Sequence, residues 1–396
     1  MLLRYRWFFL SCLAAFTGGH LLNYAVVIYA QEAIGSDWLS GVGYGLCFGP
    51  PLLLGWLAGV LCDRHAPGRL IHAAQAGFMI AALLLWAAHS LAGSDAARVV
   101  LLLAAALAIG VAWSFASPAR MAALGQVVAP GDLQAASVAF NLLVMLGFGL
   151  APVMIALLRR SWHWSGVFGG AVVLAALASV LLLAVPTRAS GRPHAPVRDE
   201  LREGLQAVRE RPLLAQLMLC AMAGYLAMGP MAVLLPKLAL ARLGLTELQR
   251  GAFLGALALA LIGGGVLAMV LARRVRHGPV ILGGSAAAGL ALTALGAAHS
   301  AGMAVALLVG VGLAGGCALS LIVAGIQAQA PPALRGRIVS MYTVISQVVP
   351  AASGVLAGAL VHAWGVGAAL HLCGGTLVLL MVLAVWRMPA LRVHAG

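Results

Sequence analysis

Apolar runs of about 20 residues, built mostly from Ala, Leu, Val and Gly, recur from one end of the chain to the other. Each is long enough to cross a hydrocarbon core of about 30 Å as a helix. No water reaches that core to satisfy backbone N–H and C=O groups, so a spanning segment must be a helix or a strand of a closed barrel. Barrel strands alternate apolar and polar residues, whereas these runs are apolar throughout. The chain therefore reads as an all-α membrane protein. Only 9% of its 396 residues are charged and mean hydropathy is +1.04, far from the roughly 25% charged content of soluble domains.

Twelve spans are expected, near residues 7–30, 40–62, 69–92, 97–119, 133–157, 164–185, 213–236, 249–272, 278–299, 301–327, 338–361 and 366–387. With both termini cytoplasmic, 18 of the 24 basic residues fall on the inner side, as the positive-inside rule requires. Arg98, Arg159, Arg160, Lys237, Arg242 and Arg250 are left outside. The net charge of +14 is thus a topology signal, and no nucleic-acid partner is expected. Trp7, Trp38, Trp162, Trp164, Trp364 and Trp386 lie near span ends, where indole favours the interface. The six cysteines sit in or beside apolar runs with no CxxC spacing, which suits small buried hydrophobes better than disulfides or metal ligands. Residues 1–30 could imitate a signal peptide, but the apolar stretch is too long and reads as the first span.

One polar segment, Thr187 to Arg211, interrupts the pattern and carries four of the ten acidic residues. Leu201, Leu205 and Val208 fall there at helical spacing, predicting a short amphipathic helix on the inner membrane surface; a solvated linker is the alternative. The segment divides the spans six and six. GWLAGVLCDR at 55–64 aligns with GVLAMVLARR at 265–274, and AAHS at 87–90 recurs at 297–300, both at an offset of 210. The expected organisation is an N-terminal six-helix half (1–186), a cytoplasmic linker (187–211) and a C-terminal half (212–396), two pseudo-repeats of the kind found in secondary transporters.

Several chemistries have no residues to carry them. Lys237 is the only lysine and no GxxxxGK loop exists, so this chain does not hydrolyse ATP through a phosphate loop. HExxH, GxSxG and paired carboxylates within a span are also missing, and neither an enzyme, a metal nor a cofactor is expected. No charged ring or carbonyl-rich filter suggests a channel. Small residues at packing spacing are frequent instead: Gly41, Gly45 and Gly49; Gly55 and Gly59; Gly251 and Gly255; Gly312 and Gly316; Gly354 and Gly358. Such steps let helix backbones approach closely. Pro50, Pro51, Pro152, Pro230 and Pro350 fall inside spans, where a missing donor permits bending.

GVLCDRHAPGR at 59–69 resembles the cytoplasmic signature of the major facilitator superfamily, with Gly59, Asp63, Arg64, Gly68 and Arg69 as the matching residues. ASPARMAALGQVVAPGDLQAASVAFN at 116–141, LREGLQAVRERPLL at 201–214 and PPALRGRIVSMYTVISQVVP at 331–350 resemble its enterobactin-exporter and macrolide-efflux branch. The resemblance implies a twelve-helix, proton-driven exporter of the bacterial cytoplasmic membrane. It also places Arg120, Arg335 and Arg337 beside Asp63 in an inner gate. Two departures stand out. Related antiporters often carry GPxxGG in the fifth span, where this chain has Gly147, Gly149, Ala151, Pro152, Val153 and Met154, so its close packing must differ. Relatives often place an acidic residue after a glycine in the first span, and here TGGHLLNYA puts His20 at that place.

The expected function is alternating-access export of a small amphiphilic or anionic molecule against proton entry, with siderophores the first substrate class on family resemblance. Multidrug or macrolide efflux, a lysophospholipid flippase of the same fold and a non-transporting receptor are the alternatives. None of the ten acidic residues lies deep in a span. His20, halfway along the first span and one turn from Asn23, is therefore the first proton carrier to consider, with Glu32 in reserve. Asn23, Asn141, Met145, Tyr225, Met228 and Gln347 are the expected cavity residues. The expected partners are the lipid bilayer, one small-molecule substrate and protons, with the chain acting as a monomer.

Overall fold

The computed structural model describes residues 5–189, 197–271, 274–331 and 334–394, with backbone alone at 56, 59, 63, 130, 134, 197–201, 335 and 336. The first span is α1 (Arg6–Glu32), buried along nearly its whole length. α2 (Asp37–Phe48) and α3 (Pro51–Arg64) together make the second. The break between them follows from Pro50 and Pro51, which have no N–H to donate back to the preceding turn. Ser36 caps α2 by accepting from the Leu39 N–H at 3.2 Å, satisfying a donor that a helix start otherwise leaves unpaired.

α4 (Pro67–Ser90) begins on a proline suited to the first helical turn. α5 (Asp95–Val127) is capped by Ser94, and Asp95 faces the positive end of its dipole. α6 (Leu133–Leu183) holds 51 residues, about 76 Å if straight and more than twice the hydrocarbon core. It is folded instead at Trp162 and His163, whose backbone angles leave the helical region. A Cβ on Gly166 would lie 3.0 Å from Leu158 O, and one on Gly170 2.7 Å from Leu158 Cδ1, so the two limbs pack against each other.

After α7 (Val197–Arg209) and α8 (Pro212–Lys237), a π turn over Leu238–Arg242 leads to α9 (Glu247–Leu271). α10 (His277–Leu295) and α11 (Ala301–Gln329) follow. α12 (Arg335–Arg387) is bent at Gly365, where φ is +77°, a conformation that glycine adopts without a Cβ penalty. α13 (Pro389–Arg392) ends the described fold. Nine helices among the described residues are long and apolar enough to span a membrane. α6 and α12 each supply two spans, and α2 with α3 supplies one more, which makes twelve.

The helices form two compact units: Met1–His194 with Leu245–Gly255, and Ala195–Gly244 with Ala256–Gly396. α9 thus begins in the first unit and continues in the second. All ten phenylalanines lie in the first unit. Its interior is an aromatic network in which Phe16 packs on Phe140 with ring centres 5.1 Å apart and Phe78 on Trp113 at 5.3 Å. The second unit packs through glycine. A Cβ on Gly316 would stand 2.9 Å from Leu261 Cα, and one on Gly264 2.7 Å from the Cys317 nitrogen.

α7 is helical as its periodicity predicts, but it docks differently. Gly204, Ala207 and Val208 are buried while Leu205 is exposed. Glu203 pairs with Arg337 on α12, and a Cβ on Gly204 would come within 3.0 Å of Met341 Sδ. Small residues seat this helix on its neighbour, so Leu205 is not part of the docked stripe.

Candidate functional site

Halfway along α1 the small residues Gly18 and Gly19 make room for large partners: a Cβ on Gly18 would meet Leu174 Cβ at 3.1 Å, and Gly19 lies directly under the Trp113 ring. One residue further, His20 is buried among aromatic rings, 5.2 Å from Trp113 and 5.4 Å from Phe148 between ring centres. Neither imidazole nitrogen has a hydrogen-bond partner in the chain. Asn23, one turn on, accepts from Trp113 Nε1 at 3.3 Å through Oδ1, leaving its Nδ2 unpartnered. Trp113 of α5 therefore unites the two polar residues, and it has no counterpart in the sequence reading. Buried polar groups ordinarily find partners, and here the His20 ring and the Asn23 amide nitrogen, one turn apart, have none among the described residues.

At the far end of α1, Glu32 sits in a closed ion-pair cluster. Its Oε2 accepts from Arg159 Nη1 of α6 at 2.7 Å, and its Oε1 accepts from Arg250 Nη1 of α9. Arg159 Nη2 reaches Glu247 Oε1 at 3.1 Å, with Arg250 Nη2 3.9 Å from the same oxygen. The Arg159 guanidinium also lies 4.4 Å from the centre of a Trp164 ring, a cation–π contact. Two carboxylates balance two guanidinium groups, each of the arginines and Glu32 being about 15% exposed.

Just below this cluster, α9 rests on α6. A Cβ on Gly251 would be 2.8 Å from both Pro152 O and Ala156 Cβ, and one on Gly255 3.2 Å from Gly149 O. The sequence departs from GPxxGG on the fifth span, and here the missing smallness is supplied by the facing helix. Gly147 on the same limb lies against the Phe16 and Thr17 backbone of α1.

The residues matched by the signature are spread over several environments. Gly59 and Asp63 belong to the last part of α3 and Arg335 opens α12, but beyond their backbone these three lie outside the described residues. Arg64 and Arg69 are exposed. Gly68 is buried and donates its N–H to Thr187 Oγ1 at 2.9 Å, where a Cβ would be only 2.8 Å away. Arg337 holds Glu203 of α7. Arg120 is fully buried, donating from Nη1 to Ser11 Oγ at 3.2 Å and Cys12 Sγ at 3.4 Å.

In the second unit, the Tyr225 and Tyr342 hydroxyls share a hydrogen bond of 2.6 Å. Gln347 stands on α12 with Oε1 buried and unpartnered. A cavity of about 50 Å³ is lined by Met228, Met231, Leu261, Leu292, Ile322 and others, with Ser285 among few polar neighbours. Of the expected cavity residues, only Met228 borders it. Asn141 and Met145 are exposed, and Asn141 donates to Ser137 O on its own helix at 3.1 Å.

Buried cations paired across helices, small-residue seats and an interior polar site are the main features of the described membrane bundle. The sequence profile of the major facilitator superfamily matches residues 7–354. The chain belongs to the major facilitator superfamily. It is thus a multi-pass membrane transporter of small molecules. A POT family transporter in complex with 5-aminolevulinic acid is 13% identical, covers 97% of this chain and 96% of its own, and superposes with a TM-score of 0.80. A bacterial homolog of the human lysosomal transporter Spinster, inward-facing and unoccupied, gives 0.70 at 16% identity, covering 98% of this chain and 96% of its own. The nucleoside transporter NupG gives 0.70 at 15% identity over 97% of this chain and 99% of its own. At these identities the likeness is one of fold. No curated protein sequence matches the chain.

Proposed function

We propose that this major facilitator transporter is a proton-driven exporter of the bacterial cytoplasmic membrane, with both termini cytoplasmic, acting as a monomer. It moves a small amphiphilic or anionic molecule outward, and a siderophore is the substrate class ranked first. The observation that carries the coupling is His20: a titratable side chain at the middle of a span, buried, with both ring nitrogens unpartnered. Proton antiport needs one group reachable from each side in turn, and an intramembrane ionisable residue is the default carrier. Glu32 takes a second role. It ties α1 to Arg159 of α6 and to Arg250 at the beginning of α9, while Glu247 keeps its own pair with Arg159. Resemblance to the superfamily signature assigns Asp63, Arg64 and Arg69 to an inner gate and resemblance to the exporter branch adds Arg335 and Arg337, while the complete burial of Arg120 sets it apart from them.

The siderophore class rests on resemblance to the enterobactin-exporter branch. The apolar, methionine-lined cavity of the second unit favours a second reading, multidrug or macrolide efflux, because flexible methionines accommodate varied apolar shapes. Purified protein in vesicles with an imposed pH gradient separates them. Accumulation of catecholate or hydroxycarboxylate siderophores without that of macrolides supports the first reading, and the reverse supports the second. Flux of neither, with the gradient intact, contradicts export.

A further inference from the structure

Arg120 differs from the other buried cations of the first unit. Its side chain on α5 is completely buried, and among the described residues its contacts are the Ser11 hydroxyl, the Cys12 thiol and the Phe16 ring, whose centre is 5.9 Å from the guanidinium carbon, with His72 near enough to feel its charge. Ser11 gives its own proton to Ala178 O at 2.7 Å, so it serves Arg120 purely as an acceptor. Arg159 and Arg250, though less buried, each face two carboxylates. A buried charge without a counter-charge is strongly destabilising. Nε and Nη2 of Arg120 have no hydrogen-bond partner among the described residues.

Those two nitrogens lie on the same edge of the guanidinium plane. Their N–H groups point in parallel and form the fork that takes two oxygens of a carboxylate or phosphate at once. Nη1 is already committed on the other edge, so the guanidinium is held in place by α1 before anything occupies the fork. We infer that Arg120 is the receptor of an oxyanion-binding site inside the first unit. The site stands independently of export, and its ligand is an oxyanion either free in solution or carried by a lipid headgroup. It couples α1 to α5 through a charge that no carboxylate among the described residues completes.

The test is a thermal-unfolding titration of the full chain, first in neutral detergent stripped of lipid. Acetate or inorganic phosphate replaces chloride at constant ionic strength, because a halide offers a single centre and cannot bridge the fork. The wild type is expected to gain a saturable shift of about 2–4 °C. R120K, which keeps the charge and loses the fork, and R120Q are expected to lose it. If the shift arises only on moving from phosphatidylcholine to phosphatidylglycerol nanodiscs, and still requires Arg120, the oxyanion is a lipid headgroup. A wild type indifferent to acetate, phosphate and phosphatidylglycerol overturns the site, as does a shift that persists in R120K and R120Q. Should either variant fail to fold, the wild-type titration decides alone.

Discussion

The two compact units solve the same packing problem with different chemistry. The first interlocks aromatic rings and, among the described residues, buries nine polar side chains from Ser11 to Arg120, whereas the second buries only Ser285, Ser353 and His394. The second instead brings backbones together at Gly229, Gly264, Gly289, Gly312 and Gly316. Large rings leave irregular gaps in which a histidine, an asparagine or an arginine can be held, and they fix helices in one register. Glycine seams let backbones approach closely and present smooth surfaces with few knobs. Buried polar side chains are therefore concentrated in the first unit, and the second contributes apolar surface, close helix contact and the Glu203–Arg337 pair.

If this contrast is right, the two units should fail differently. The largest effect is expected from Gly264→Leu, because even a Cβ meets the Cys317 nitrogen at 2.7 Å and backbone cannot step aside. Overpacking costs about 1–3 kcal/mol, so the unfolding temperature of the purified protein should drop by about 1–4 °C. A variant as stable as wild type would show that the seam is loose.

Next comes Glu32→Gln in the first unit. It leaves Arg159 and Arg250 to share Glu247, at a cost of about 1–3 kcal/mol in a partly exposed cluster. Maleimide labelling of a cysteine introduced at the buried Leu254 on α9 should then accelerate about tenfold. Unchanged labelling would mean that the cluster does not hold the beginning of α9.

A smaller change is expected from Tyr225→Phe, which removes one hydrogen bond to Tyr342, worth about 1 kcal/mol. Its unfolding temperature should fall by about 1 °C with the membrane fold retained, and a loss larger than that of Gly264→Leu would upset the ranking.

The smallest effect concerns His394, beyond the last span. Burial, and then the nearby His277, push its pKa below the ordinary value of 6.5. The unfolded chain therefore takes up this proton first, so the contribution is complete above about pH 6.5 and declines as the pH falls below it. His394→Asn should flatten that part of the stability profile, and an unaltered profile would remove His394 as its source.

Much of the fold could be read in the sequence because a bilayer demands long apolar runs, and twelve such runs are hard to miss. The reversals at Trp162 and His163 and at Gly365 were legible as gaps between spans, though not as breaks of one or two residues. The ion-pair cluster was out of reach. Arg159 and Arg250 stood among the six basic residues on the minority side of the positive-inside count, and that was their only signal. Their partner Glu32 is 127 and 218 residues away, a separation to which local periodicity is blind. His20 and Asn23 were recognisable because polar residues in an apolar span are rare, while Trp113, which joins them, looked like any other apolar residue. α7 misled in the opposite way: its leucine spacing suggested a membrane face, whereas Gly204 and Ala207 made a seat for a neighbouring helix.

The central claim is that proton coupling resides in the first unit at His20. Its most direct measurement compares wild type and His20→Ala in proteoliposomes, following uphill export driven by an imposed pH gradient alongside substrate exchange without one. The account predicts that His20→Ala loses gradient-driven accumulation while exchange survives. Undiminished uphill export by His20→Ala would contradict it.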